Sequence, residues 1–435
     1  MVKISFLGSC REVGRSGILV ESKSGAQCIL DYGIRFNGED RLPYEADLNN
    51  LKAIALTHSH VDHSGGLPFL YKTERVPFFT NSITFAIAEV LIRDMIKISN
   101  YPYPFGYREL DCLRQNAYFL KNKTRQKIDD NFFITFIDAG HIPGSVSIFI
   151  EVDNKKLLYT GDINSQTTNL VNPANPTEIP KIDALILEST YALKEHPPRE
   201  QLEIEFVEKI TNIIDNGGTV LIPAFGVARS QEALLILEKY NFKGKIFIDG
   251  LARKISTLYL DFPDSIKNIK LFRRAIGKAQ FVSSRKIRNN AKQSNGVIIS
   301  PSGMLKGGAA IDYIPSILKD SSSAVYLVGY QVEGSPGRVL IDDGIFEFKE
   351  LKGNRNKSVD LHIEAMCDYS YFDFSSHSDN NDIHSYVEKL NFEKNSNNDI
   401  FCIHGDNKST TTLASQLVSK NYNSVAPEIG EIYNI

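Results

Sequence analysis

Three histidines and an aspartate fall within six residues of the run Leu56-Thr57-His58-Ser59-His60-Val61-Asp62-His63-Ser64-Gly65-Gly66. Imidazole nitrogen and carboxylate oxygen are donors that suit Zn²⁺. The apolar stretch Ala53–Thr57 reads as a buried strand, and a loop at its end can aim alternate side chains into one cavity. Gly65 and Gly66 permit tight turning. A His-rich surface loop is the plain alternative, and the His-x-His-x-Asp-His order weighs against it. Two later segments fit the same cavity. Asp138-Ala139-Gly140-His141-Ile142-Pro143-Gly144-Ser145 offers His141 in a turn, and Tyr159-Thr160-Gly161-Asp162 puts Asp162 just past a strand. Each alone would be read as a turn residue. Four of the nine histidines, however, stand at 58, 60, 63 and 141, which favours a shared task.

Short β runs must position these residues. Val2–Leu7, Gly17–Glu21, Gln27–Asp31, Phe132–Asp138, Ser145–Val152 and Lys156–Tyr159 are apolar, β-branched and bounded by turn residues. Ile83–Ile98 has helical spacing. Near residue 200 the pattern changes. Helices are predicted over Gln201–Ile214, Ser230–Tyr240 and Arg253–Leu260. Strands are predicted over Thr219–Pro223, Lys245–Asp249, Gly296–Ser300 and Ala324–Gly329, so this part reads as a parallel α/β sheet. Helices Ile383–Leu390 and Thr411–Ser419 flank a late strand, Asp399–Ile403.

The composition is that of an ordinary globular chain: 435 residues, 42% hydrophobic, 23% charged, net charge -3. It excludes disordered, collagen-like and globally basic classes. Five cysteines, none spaced C-x-x-C, argue against a disulfide framework and for a reducing, cytoplasmic setting. No apolar run is long enough to span a membrane, and the first residues read as a strand rather than a leader.

The H-x-H-x-D-H loop, the downstream Gly-His and the strand-end Gly-Asp resemble the metallo-β-lactamase-fold hydrolases. The resemblance implies two zinc ions. His58, His60 and His141 would hold one, Asp62 and His63 the other, and Asp162 would bridge them. Asp31, in Leu30-Asp31-Tyr32-Gly33, matches the family's first acidic motif and would orient ligands rather than bind metal.

The second half is similar to the β-CASP nucleases, above all to archaeal and eukaryotic relatives of the cleavage and polyadenylation specificity factor. The matching segments are Leu185-Ile186-Leu187-Glu188-Ser189-Thr190-Tyr191, Phe374-Ser375-Ser376-His377-Ser378-Asp379 and Phe401-Cys402-Ile403-His404-Gly405-Asp406. Pro223–Glu232, Ser302-Gly303-Met304 and Gly329–Gly334 match as well. Two positions depart from the group's pattern: Ala192 replaces the usual Gly, and Ser335-Pro336-Gly337-Arg338 carries a proline without an N–H. The implied fold is an αββα sandwich of the α/β class with an inserted parallel α/β domain. The expected boundaries are 1–200, 201–360 and 361–435, the last returning to the first domain. His404 would complete the second zinc site.

By the same resemblance the chain is expected to be a zinc-dependent ribonuclease. Asp62, Glu188 and His377 are the catalytic candidates, with His377 as general acid oriented by Glu188. His196, His362 and His384 lack such context. Residues Lys243 to Lys292 hold 13 basic and three acidic residues, a local charge of +10 that suits single-stranded RNA. Arg229, Arg273, Arg274, Ser302 and Arg338 are the expected RNA contacts, and two copies are expected to pair as a homodimer. An endonuclease is the leading reading. A 5′-to-3′ exoribonuclease, a small-molecule hydrolase and an inactive partner subunit are the alternatives.

Overall fold

In a computed structural model, all residues are described except 37, 39, 100, 353–356 and 395. The chain forms two compact units. The first comprises 1–167, 172–195 and 376–435, and the second comprises 168–171 and 196–375.

The first unit holds two seven-stranded sheets. One runs Ile432–Asn434, Lys3–Phe6, Ile18–Glu21, Gln27–Leu30, Leu51–Ala55, Phe78–Thr80, Ala117–Phe119. The other runs Asn423–Val425, Asp399–Ile403, Ala184–Glu188, Lys155–Tyr159, Val146–Val152, Phe132–Asp138, Arg125–Asp129. Strand alternation builds the layers, because successive side chains point to opposite faces. In Ala184–Glu188, Ala184 and Ile186 join Ile4, Phe6, Leu30 and Phe136 in the core between the sheets. Leu185 and Leu187 pack outward with Ile383, Tyr386 and Leu413 of the helices Asn380–Lys389 and Asn407–Ser419. On the opposite side Ile29 and Ile54 meet Phe85 and Ile92 of the helix Ser82–Ile98. Each buried Leu, Ile or Phe among them contributes about 1.5–3 kcal/mol. The result is helix, sheet, sheet, helix.

The second unit is a six-stranded, all-parallel sheet: Ala279–Phe281, Lys245–Ile248, Gly296–Ser300, Val220–Pro223, Ala324–Leu327, Asp368–Tyr371. Its central strands are buried on both faces, which is why they read as continuous apolar runs.

The return to the first unit comes later than residue 361. Lys357–Glu364 is one arm of a hairpin with Ile345–Lys352, and Asp368–Tyr371 extends the second unit's own sheet through Tyr326↔Ser370. The strand Asp368–Tyr371 is only four residues long and polar on its surface, so periodicity could not assign it to a sheet. The return therefore begins at Ser376. The proline departure is harmless to the backbone. Pro336 occupies the first turn of the helix Pro336–Asp343, where no N–H is required, and Ser335 caps Arg338 N–H at 3.3 Å. No described helix is long and apolar enough to cross a membrane.

Candidate active site

Parallel strand pairing explains why residues far apart in sequence meet. Leu30 pairs with Ala55, so Asp31 and the Thr57–His63 loop leave the first sheet at the same end. Tyr159 pairs with Ile186 and Glu188 with Ile403, so Asp162, Glu188 and His404 leave the second sheet together. Glu188 shares the inward parity of Ala184 and Ile186, and it is 1% exposed.

Each of His58, His60, His141 and Asp162 offers one donor atom, all within 4.8 Å of one another. Asp62, His63 and His404 form a second such group. Asp162 faces both. Its Oδ2 lies 3.3 Å from His58 Nε2 and 3.6 Å from His141 Nε2, while its Oδ1 lies 3.3 Å from His63 Nε2 and 3.3 Å from His404 Nδ1. A third grouping joins Asp162, Glu188 and His404. Glu188, however, is engaged elsewhere. Both its oxygens lie 3.0 Å from His377 Nδ1, and Oε1 accepts Ile163 N–H at 2.8 Å.

The donor set fits a cation. His58 Nε2 and Asp162 Oδ1 are buried without a hydrogen-bond partner. Imidazole nitrogens face each other at 3.1 Å in two places, His63 Nε2 with His404 Nε2 and His141 Nε2 with His60 Nδ1. Unpaired buried acceptors are costly alone and are the usual lining of a metal site.

Electrostatics prepare the same site. Burial holds His58 below its ordinary pKa, helped by the charge of His63. Burial, reinforced by His58, pushes His60 down to about 3. His141 is held well below the usual range by burial and by His377. His63 goes the other way: burial opposes its charge, but the carboxylates of Asp162 and Asp31 outweigh that and raise it. Asp162 stays ionised well into acid despite its burial, through His404, His63 and His58. His58, His60 and His141, held neutral beside the ionised Asp162, are ready metal ligands, whereas His63 must first give up its proton.

Asp31 is fully buried and touches ligands without joining them. Its Oδ2 lies 2.7 Å from His63 Nδ1 and accepts Tyr159 O–H at 2.8 Å. The sequence reading had no signal for Tyr159, nor for Thr190, whose Oγ1 lies 3.1 Å from His404 Nδ1. His141 Nδ1 lies 2.8 Å from the Ser376 carbonyl, a backbone contact that no side-chain pattern could reveal. The His377 ring lies tilted against that of His141, ring centres 4.5 Å apart, and its side chain is 17% exposed.

The expected RNA contacts, all in the second unit, fare differently. Arg229 is 8% exposed, and its Nη1 donates to the Phe374 carbonyl, so at least part of its donor capacity is spent inside the second unit. It starts the helix Arg229–Lys239, as its motif suggested, but the helix is buried on nearly every side. Arg273 is exposed. Arg274 is exposed but shares the buried Glu238 with Lys278, at 3.1 and 2.6 Å. Arg288 is tied to Asp249 and Asp312, both at 2.7 Å. The formal +10 therefore overstates the free charge. Arg338 is exposed and pairs with Asp342 at 2.6 Å, while Ser302 Oγ is buried without a hydrogen-bond partner. His196 pairs with Asp373, His362 with Glu347 and His384 with Gln416, roles apart from the cluster.

Family models match three segments: the Beta-Casp domain over 230–340, the Zn-dependent metallo-hydrolase RNA specificity domain over 363–427, and the anti-Pycsar protein Apyc1 over 3–182. The chain is 32% identical to RNase aCSPSF2 of Saccharolobus solfataricus, covering 98% of this chain and 84% of that one. It is also 32% identical to the probable RNase MJ4 of Methanocaldococcus jannaschii, covering 99% of each. The transcription termination factor FttA of the same organism is 30% identical, covering 93% of this chain and 67% of that one. A crystal structure of an Enterococcus faecalis protein of unknown function shares the fold, with TM-score 0.64, 15% identity and 99% of each chain covered. With motifs, fold and near full-length relatives in agreement, the chain belongs to the β-CASP family of metallo-β-lactamase-fold, metal-dependent ribonucleases.

Proposed function

We propose that the protein is a two-zinc endoribonuclease that hydrolyses phosphodiester bonds of single-stranded RNA, leaving 5′-phosphate and 3′-hydroxyl ends. The observation that carries this reading is the pairing of Asp162 with both donor groups, one carboxylate oxygen toward each. His58, His60 and His141 would hold one ion, and Asp62, His63 and His404 the other. When bound, zinc supplies an activated water at neutral pH and counter-charge for the phosphate.

The remaining work falls to the chain's own groups. His377 donates a proton to the leaving 3′-oxygen. Its Nδ1–H is held by the Glu188 carboxylate at 3.0 Å, which orients the ring and favours its charged form. Glu188 is itself fixed by Ile163 N–H. The His377 side chain keeps 17% of its surface accessible, which leaves the proton a route to substrate.

A defined RNA carrying an internal label tests the reading. Internal fragments with 5′-phosphate ends are expected. Mononucleotides released from the 5′ end would instead favour the exonucleolytic alternative. A 2′,3′-cyclic phosphate would mean attack by the ribose hydroxyl, and would overturn the proposed use of water.

A further inference from the structure

A ligand histidine must present the correct nitrogen to a cation, and the partner of its other nitrogen decides which one is bare. For His141 that partner is the Ser376 carbonyl, which can only accept, so Nδ1 carries the proton and Nε2 faces the cluster. For His63 it is the Asp31 carboxylate. His58 has neither. Its Nδ1 faces the hydroxyl of Thr57 at 3.1 Å, a group able to donate or accept.

The surroundings of Thr57 remove that ambiguity. A hydroxyl has one proton, and Thr57 Oγ1 donates it to Asp31 Oδ2 at 2.7 Å. The carboxylate is both the nearer and the stronger acceptor. Thr57 N–H also donates to Asp31 Oδ1 at 2.7 Å, so the residue is gripped at two points. The side chain is boxed in from behind: a Cβ at Gly161 would come within 2.8 Å of Thr57 Cβ. With its proton committed, Oγ1 accepts from His58 Nδ1–H. His58 Nε2 is then bare, and it is the buried nitrogen that has no hydrogen-bond partner and sits 3.3 Å from Asp162 Oδ2.

We propose that Thr57 is a positioning residue that relays Asp31 to His58 and fixes the His58 ring with Nε2 free for metal. One buried carboxylate, Asp31, thereby orients a histidine in each donor group: His63 directly and His58 through Thr57. This deepens the metal-hydrolase reading and rests on it for its functional consequence. The state of the ring is a property of the metal-free protein and can be measured alone.

The test uses full-length protein with ¹⁵N-labelled histidine. Long-range proton–nitrogen spectra of the metal-free form report which His58 nitrogen carries hydrogen, with the signal assigned by its loss in His58→Asn. Wild type and Thr57→Ser are expected to show Nδ1–H. Thr57→Val keeps the branched volume but has no hydroxyl, and is expected to shift His58 toward Nε2–H. Zinc titration should then show about 10–100-fold weaker binding for one of two sites, with Thr57→Ser close to wild type. Thr57→Ala serves the same purpose if the valine variant does not fold. A Thr57→Val or Thr57→Ala protein that keeps Nδ1–H on His58 overturns the relay, whatever its zinc affinity. Wild type that takes up no zinc sinks the metal-hydrolase reading instead, and the ring spectra still decide the relay.

Discussion

Both carboxylate oxygens of Glu188 lie 3.0 Å from Nδ1 of His377, although 188 residues of chain separate them. Glu188 is anchored at the end of a buried parallel strand, and His377 stands on the segment that returns from the second unit. This pair carries the first prediction. His377→Ala should bind zinc normally and lose about 10²–10⁴ in cleavage rate, the usual weight of general acid catalysis. Glu188→Gln should lose less, because the amide still orients the ring without favouring its charge. Single-turnover cleavage with parallel metal analysis checks both. Normal turnover in His377→Ala would remove the residue from the mechanism.

Metal content gives a second prediction. Wild type should hold two zinc ions. His404→Ala should lose one, because His404 groups with Asp62 and His63 and not with His58, His60 and His141, whereas Asp162→Ala should weaken both, since its two oxygens face opposite groups. Elemental analysis after zinc loading decides. At most one metal in the wild type would contradict the paired site.

The metal-free protein should lose stability on acidification. His58, His60 and His141 are held below the ordinary histidine pKa of about 6.5, His60 at about 3. Below about 6.5 the unfolded chain takes up protons that the fold refuses, so stability falls as pH drops from about 6.5 toward 3. His63 has the opposite sign: its raised pKa contributes stability that is fully present below about 6.5 and lost as pH rises through the raised value. Three groups oppose one, so the urea midpoint of metal-free protein should decline from pH 7 to pH 4. A midpoint that rises over that range would contradict the neutral cluster.

Arg273 and Arg274 should bind phosphates rather than read bases. Removing both should weaken RNA binding for all sequences and flatten the salt dependence. Because Arg274 already shares Glu238 with Lys278, the change should be nearer one contact than two, a slope of about 0.7. Binding isotherms at several salt concentrations measure it. An unchanged slope would leave the basic segment as solvated surface.

Arg229→Ala should act on stability first. It leaves the Phe374 carbonyl without its buried donor, a loss on the order of 1–3 kcal/mol. A lowered denaturation midpoint is expected. RNA affinity lost at unchanged stability would instead restore the phosphate role.

Much of the site is legible in the order of residues. His58, His60, Asp62 and His63 are close in sequence, and a strand followed by a tight loop can only present them together. The stretches 157–159, 184–187 and 400–403, which lead to Asp162, Glu188 and His404, announce themselves as apolar runs because they are buried on both faces. Strand ends are where a parallel sheet displays side chains, so these acids and histidines could be nominated before any fold was seen. What the tertiary structure alone decided is partnership. Register, set by which strands lie side by side, brings Asp31 to Thr57 and Glu188 level with Ile403. Backbone acceptors such as the Ser376 carbonyl have no letter in the sequence. Nor does the sequence show which arginines are free: Arg229, read as a phosphate ligand, is buried, and Arg274 is shared with an acid 36 residues away. Charge is a property of composition, but availability depends on what packs beside it, and only folding determines that.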